Sequence, residues 1–326
     1  MLKADAYGTG APQAAAALFA AGCRHFFTAH LGEAIPLRPL LPGAMLSVLN
    51  GLLPDTEADY VAHDIVPVLG SLAEVRRWGA QARRMGSLLP ALLHVDTGMN
   101  RLGLTVADVG TIAQTEDLLA GLNILFVMTH LIAADDPASP LSAEQLRRFA
   151  AACAMLPTLP TSIANSSGLF LGPAFRSDLA RPGAALYGIN PTAGENPLRP
   201  VVRLTAQVLQ IRDIAAGVSV GYNETWRAAR PSRIAVLGVG YADGFARALS
   251  NRGAAVFDGV RLPLVGRVSM DLTTFDVTDH PGVSVGTWLE LLGPQRDVAE
   301  VAAEAGESPY ELLTRLGRRY ARVWRA

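Results

Sequence analysis

Lysine is all but missing from this chain: of its 28 basic residues one, Lys3, is a lysine and the other 27 are arginines. Arginine stays protonated at any working pH, whereas a desolvated lysine can lose its proton and attack a carbonyl carbon. A composition that uses arginine wherever charge suffices marks Lys3, at the head of Lys3-Ala4-Asp5-Ala6-Tyr7-Gly8, as a residue whose amine is required. Cysteine is nearly as scarce. Cys23 and Cys153 stand in alanine-rich apolar stretches without CxxC or metal-ligand spacing, which excludes a disulfide framework, argues against zinc and reads as core packing in the reducing cytoplasm.

Charge of one sign is missing too. With Lys+Arg 28 against Asp+Glu 29, no net field draws nucleic acid or an anionic membrane, and no run of like charges forms a tail. The longest apolar window, 118–134, is broken by Asn123, Thr129 and His130 and falls short of the roughly 20 clean residues of a membrane span. Ala14 to Cys23 mimics a signal-peptide core, but Asp5, Tyr7 and Gln13 interrupt what precedes it, and an amphipathic helix explains the alanines equally well. A compact soluble cytoplasmic protein with a small ligand is the expectation.

What the chain does have is material for a large core, with 50% apolar and 17% charged residues. From residue 23 to about 190, β-rich runs alternate with alanine- and leucine-rich helical stretches: His25–Thr28, Met45–Leu49, Ile65–Leu69, Leu92–Asp96, Leu125–Thr129, Ser162–Asn165 and Ala185–Tyr187. Near-continuous apolar strands joined by helices imply parallel pairing with both faces covered, and an eight-fold repeat closes a TIM-like (β/α)8 barrel, here over residues 1–198 with its truncated first strand ending at Lys3. Over 199–326 the texture changes to alternating strands (201–214, 218–220, 233–239, 254–257, 262–265 and 287–292) separated by Gly, Pro or Asp turns. Helices are predicted at Val298–Ala305, with Asp297 as cap, and near 310–316, so this is a mainly antiparallel β domain.

Laid on that outline, Lys3, Arg101, His130, Asn165-Ser166 and the Arg181-Pro182-Gly183 turn fall at or just beyond the C-terminal ends of barrel strands, the face on which such barrels build their sites. Singly each has a structural explanation: His130 as a strand-end residue, Arg101 as a surface ion pair, Asn165-Ser166-Ser167-Gly168 as a helix-starting loop. Five elements converging on one mouth favour a site.

Lys3 to Gly10, His94-Val95-Asp96-Thr97-Gly98-Met99-Asn100-Arg101-Leu102-Gly103, Met128-Thr129-His130, Ala164-Asn165-Ser166, Arg181-Pro182-Gly183 with Tyr187-Gly188, Val220-Gly221-Tyr222, Gly240-Tyr241-Ala242-Asp243-Gly244 and Gly266-Arg267-Val268-Ser269-Met270-Asp271 resemble, in order, the signature motifs of the alanine racemases. The resemblance spans nearly the whole chain. It implies a pyridoxal 5'-phosphate enzyme in which Lys3 holds the cofactor through a Schiff base and serves one face of the substrate, while Tyr222 of a partner subunit in a homodimer serves the other, with His130 and Arg181 linked behind it. It further implies Arg181 at the pyridine nitrogen, and Arg101 at the phenolic oxygen and substrate. Tyr7, Ser166 and the backbone of Gly183 and Ala184 would be at the phosphate, His130 and Asn165 within the cofactor site, and Met270 and Asp271 of the partner subunit near the substrate carboxylate. The expected product is D-alanine for peptidoglycan, with no metal.

The sequence departs from that family in three ways. About 35 residues usually precede the lysine, where Met1 and Leu2 stand here, and a two-residue strand is expected to leave sheet edges unpaired and the chain poorly folded or weak for cofactor. His94 occupies the place of a lysine that in some members is carbamylated, and Arg318, with Tyr320 two residues on, that of a tyrosine narrowing the entry. A broader amino-acid racemase, a truncated inactive or cofactor-binding-only form, a decarboxylase of the same architecture and a cofactor carrier resembling the barrel alone are the other readings; the decarboxylase would want an acid at position 181, and the carrier lacks a second domain.

Overall fold

The computed structural model describes residues 1–115, 117–192 and 194–325. They fall into two compact units, Met1–Leu186 with Pro191–Asn196, and Tyr187–Asn190 with Pro197–Ala326. In the first unit β1 (His25–Thr28), β2 (Met45–Val48), β3 (Val66–Leu69), β4 (Leu89–His94), β5 (Leu122–Met128) and β6 (Thr161–Ser162) lie side by side in chain order, each parallel to the next. These are the apolar runs of the sequence, and Phe27, Val66, Val68, Leu92 and Met128 from four of them bury one another. Before and between them run α1 (Lys3–Tyr7), α2 (Ala11–Ala20), α3 (Leu31–Ala34), α4 (Glu57–Ala62), α5 (Leu72–Met85), α6 (Val106–Gln114) and α7 (Leu141–Cys153). In α5 the local chemistry is fully visible. Ser71 Oγ accepts Glu74 N–H at the start, Gly86 ends the helix at φ 62°, Val75, Trp78 and Ala82 face inward, and Trp78 Nε1 donates to Pro90 O at 3.0 Å, tying the helix to β4.

Two strand expectations fail. Ala184–Tyr187 is a 3-10 turn, because Ser166 Oγ takes the N–H groups of Gly183 (2.8 Å) and Ala185 (3.2 Å) that a ladder would use, and Leu186 N closes back on Gly183 O at 2.9 Å. Lys3 ends no regular strand either. The pairing beyond β6 is made instead by 179–182 and the first two residues. Leu179 N donates to Thr161 O (3.1 Å), Arg181 N to Ala164 O (2.9 Å), Met1 N to Pro182 O (3.2 Å) and Leu2 N to Phe27 O (2.7 Å). The edges expected to be bare are therefore each met by a hydrogen bond, and the TIM-like order holds as six regular strands with two irregular segments continuing the circuit.

The second unit is the antiparallel sheet expected. β7 (Leu204–Ile214) is its centre, β8 (Ser219–Val220) and β9 (Trp226–Arg227) form a separate ribbon, and β10 (Ser232–Leu237), β11 (Ala254–Phe257), β12 (Val260–Pro263), β13 (Thr273–Asp276) and β14 (Trp288–Leu292) complete the order β12-β11-β14-β7-β10-β13. β9 and β13 had not been foreseen. α8 (Val298–Ala305) begins where Asp297 accepts Ala299 N–H at 2.7 Å and stops at Gly306, φ 68°; α9 (Pro309–Thr314) starts at Ser308 with Pro309 at its first position. No helix among the described residues is long and apolar enough to cross a membrane.

Candidate active site

α1 is a single left-handed turn: Ala4, Asp5 and Ala6 sit at φ 53° and Tyr7 at 57°, a conformation that costs an L-residue roughly 1–2 kcal/mol each. The turn is held on every side. Gly8 N reaches Ala4 O (2.8 Å), Gly10 N reaches Asp5 O (2.9 Å), Ala11 N reaches Asp5 Oδ1 (2.7 Å) and Ala4 N reaches Glu33 Oε1 (2.6 Å). Strain kept in place by that many partners is a mark of a functional segment. Burial, then the charge of Arg101, lower the Lys3 amine below its ordinary 10.5, with Glu33 acting the other way.

The turn also sends the Tyr7 ring, buried, over Gly183. A Cβ at Gly183 would lie 2.2 Å from the Tyr7 hydroxyl oxygen and 3.0 Å from its Cζ, so this position admits only glycine without moving the ring. Gly183→Ala is expected to lose about 1–3 kcal/mol in urea unfolding through overpacking and to weaken binding of a phosphate-bearing ligand in a fluorescence titration. Ser166 Oγ, accepting from Gly183 and Ala185, lies under the same turn, and Ala184 is buried between them. Asn165 beside it uses both polar ends on backbone, Oδ1 accepting Gly168 N–H at 2.9 Å and Nδ2 donating to Leu131 O at 3.4 Å.

Arg181 is 3% exposed, and its guanidinium donates to Ser162 Oγ, Thr129 O and Ile163 O. Burial lowers it to about 10. His94 ends β4 and His130 follows β5, neighbours through the register that sets His94 beside Met128. Burial first, then the Arg181 charge, bring His94 to about 4 and His130 to about 3, with Arg101 pushing both the same way and Asp96 partly offsetting at His94. Both imidazoles are neutral at working pH, among three cations.

Arg101 is exposed on a loop whose shape the Asp96 carboxylate dictates by accepting the N–H groups of Gly98 (2.9 Å), Met99 (2.9 Å) and Asn100 (3.0 Å). Gly103 at φ 118° closes the loop where a Cβ would strike Asp96 N at 2.6 Å, and Leu104 N returns to His94 O at 2.7 Å. Gln145 of α7, unforeseen because a lone glutamine in a helix carries no pattern, braces this loop and the next. Its Nε2 donates to Thr97 Oγ1 and His130 O, both at 2.9 Å, and its Oε1 accepts Ile132 N–H at 2.9 Å.

The first unit thus gathers Lys3, Tyr7, Arg101, His130, Asn165, Ser166, Arg181, Gly183 and Ala184 at strand ends and the turns beyond them. A depressed amine, two guanidinium groups and a cradle of hydroxyls against a tight turn suit an aldehyde that carries a phosphate and a phenolate, and pyridoxal phosphate fits these residues. Tyr222, Met270 and Asp271 belong to the second unit. Tyr222 is 67% and Met270 54% exposed, and Asp271 pairs with Arg319 at 2.8 Å. Gly240 is the seat of that segment: a Cβ there would lie 2.3 Å from Met270 O, while Tyr241 N and Ala242 N donate to Ser269 O and Met270 O, both at 3.0 Å. Arg318 is exposed, whereas burial raises the Tyr320 hydroxyl above its ordinary value.

Comparison with known proteins agrees across both units. The alanine racemase N-terminal domain family matches residues 1–191 and the C-terminal domain family residues 201–324. The chain is 57% identical to an alanine racemase of Acidiphilium cryptum, over 99% of this chain and 90% of that one, and 49% identical to one of Brucella abortus, over 99% and 86%. Among solved structures, the alanine racemase of Bartonella henselae, with covalently bound pyridoxal phosphate, superposes with a TM-score of 0.95 at 40% identity, covering 99% of this chain and 90% of that one. The biosynthetic alanine racemase of Pseudomonas aeruginosa gives 0.90 at 34%, covering 100% and 91%.

Proposed function

The chain belongs to the alanine racemase family and is an isomerase, and from that premise we propose that it interconverts L- and D-alanine with pyridoxal 5'-phosphate attached at Lys3. The observation that carries this reading is the lone lysine itself, its amine lowered by burial and Arg101 at the head of a strained turn whose Tyr7 packs against the Ser166–Gly183 cradle. When bound, the cofactor would supply an electron-withdrawing ring that makes the α-proton of alanine removable.

The remaining chemistry belongs to the chain. Tyr7, Ser166 and the Gly183–Ala184 turn would hold the phosphate, with His130 and Asn165 shaping the surrounding wall. Arg101 would neutralise the phenolate and orient the substrate carboxylate together with Met270 and Asp271 of the partner subunit. Arg181 would present the ring nitrogen with a guanidinium that does not give up its proton at working pH, which restrains electron withdrawal and with it decarboxylation and transamination. Lys3 would move the α-proton on one face and Tyr222 of the partner subunit on the other. Residues 1–198 would then be the cofactor-binding domain and 199–326 the domain that completes a second copy's site, in a homodimer making D-alanine for peptidoglycan in the cytoplasm. The exposure of Tyr222 and Met270 on the isolated chain supports that sharing.

Tyr222→Phe tests it. Racemisation is expected to fall about 10²–10⁴-fold, the worth of one general acid–base group, while NMR still shows exchange of the α-proton with deuterated solvent for one enantiomer of alanine. Exchange retained or lost equally for both enantiomers would sink the two-base reading.

A further inference from the structure

We infer that Glu33 is the positioning residue of Lys3, its carboxylate locking the left-handed turn onto the end of β1 and facing the amine with negative charge. The inference rests on the reading of Lys3 as the cofactor-bearing residue and goes beyond it. Glu33 is the third residue of α3, directly after β1. Its Oε1 accepts the N–H of Ala4, the residue next to Lys3, at 2.6 Å, and its Oε2 accepts Ala29 N–H at 2.8 Å and His30 N–H at 3.1 Å. One carboxylate therefore joins the peptide that follows Lys3 to the loop that closes β1, while on the other side of Lys3 the Leu2 N–H is fixed to Phe27 O of the same strand at 2.7 Å. Lys3 is clamped on both sides to one strand end.

The clamp is also electrostatic. The charges that act on the amine are Arg101, from the loop after β4, and Glu33, from α3; His130 at the end of β5 and the Met1 amine stand near it, each lowered chiefly by burial to about 3 and about 6 and so uncharged at working pH. Cations would favour early loss of the lysine proton, and a carboxylate opposes them. Glu33 thus sets how much of the amine is neutral at a given pH, apart from where it holds the amine. An ordinary capping glutamate would have only the second role.

Two substitutions separate the roles. Glu33→Gln removes the charge and keeps one amide oxygen, enough for Ala4 N–H but not also for Ala29 and His30 N–H; Glu33→Ala removes the charge and every acceptor. Since Lys3 is the lone lysine, reductive methylation of the full-length, cofactor-free chain with ¹³C-formaldehyde places one dimethyl-lysine signal in the NMR spectrum, whose pH titration reads the amine directly. For Glu33→Gln the midpoint is expected to drop by about one pH unit, the usual size for removing one nearby opposite charge, with the urea midpoint falling less than for Glu33→Ala. For Glu33→Ala the midpoint drops similarly, and the fraction of chain that borohydride traps as pyridoxyl-Lys3 falls about ten-fold. A Glu33→Gln titration that overlays the unsubstituted one overturns the inference while leaving the proposed function standing. An unsubstituted chain that traps no pyridoxal at Lys3 overturns that function, and this inference with it.

Discussion

Lys3→Ala is expected to abolish covalent capture of pyridoxal phosphate and to reduce interconversion of the alanine enantiomers at least about 10³-fold, since it removes the nucleophile and one proton-transfer group together. The same loss is expected of Lys3→Arg, which keeps the positive charge and hydrogen-bond donors but cannot attack a carbonyl at working pH. The pair separates the need for an amine from the need for a cation, the distinction that the composition of the chain first raises. Stability is expected to move little. Lys3 stands near the Arg101 guanidinium, which lowers its pKa, so its removal relieves repulsion as well as deleting contacts. The check is absorbance near 420 nm, borohydride reduction and peptide mapping. Label on the Lys3 peptide alone in the unsubstituted chain, and none in either variant, is the expected result. Undiminished racemisation by Lys3→Ala would remove the foundation of the proposed mechanism.

Where side chains alone decided local structure, the sequence was legible. The apolar runs became β1 to β5, Asp297 and Gly306 bounded α8 as cap and stop, and Ala254–Phe257 is a strand to the residue. It was illegible where a distant partner decided. Ala185-Leu186-Tyr187 has the composition of a strand, but Ser166 Oγ claims the Ala185 N–H and Leu186 N closes back on Gly183 O, which folds it into a turn. Ala4-Asp5-Ala6 has good helix formers and does form a helix turn, of the wrong hand, because Glu33 and Asp5 itself fix the backbone there. β13 was hidden because Thr273-Thr274-Phe275-Asp276 follows the Gly266–Asp271 motif without a turn signal, and is a strand only through its pairing with β10. The candidate site divides the same way. The candidate site residues come in distinctive strings, whereas Glu33 and Gln145, which hold those strings in place, are ordinary residues on helices, given meaning by hydrogen bonds to groups elsewhere in the chain.

The two buried histidines carry the second large expectation, that the first unit fails in mild acid. In the unfolded chain both titrate near 6.5, whereas in the fold His94 is held at about 4 and His130 at about 3. Above about pH 6.5 both are neutral in either state and the fold is at full strength. Below it, unfolded molecules bind protons that folded ones refuse. Each histidine then removes about 1.4 kcal/mol per pH unit until the folded value is reached. From pH 6.5 to 4.5 the pair costs about 4–5 kcal/mol, a large part of the roughly 5–15 kcal/mol that stabilises a domain. The urea midpoint of the cofactor-free chain, followed from pH 7.5 to 4.5, is expected to fall steeply below 6.5. His130→Asn should remove about half of that slope and His94→Asn with it nearly all, whatever constant offset the substitutions add. A midpoint that stays level through this range would mean that the imidazoles accept protons inside the fold despite burial and Arg181. The same balance matters for function. A proton on His130 would put another cation beside Lys3, so the acid limb of activity is expected to follow the loss of the fold, with the amine unperturbed until then.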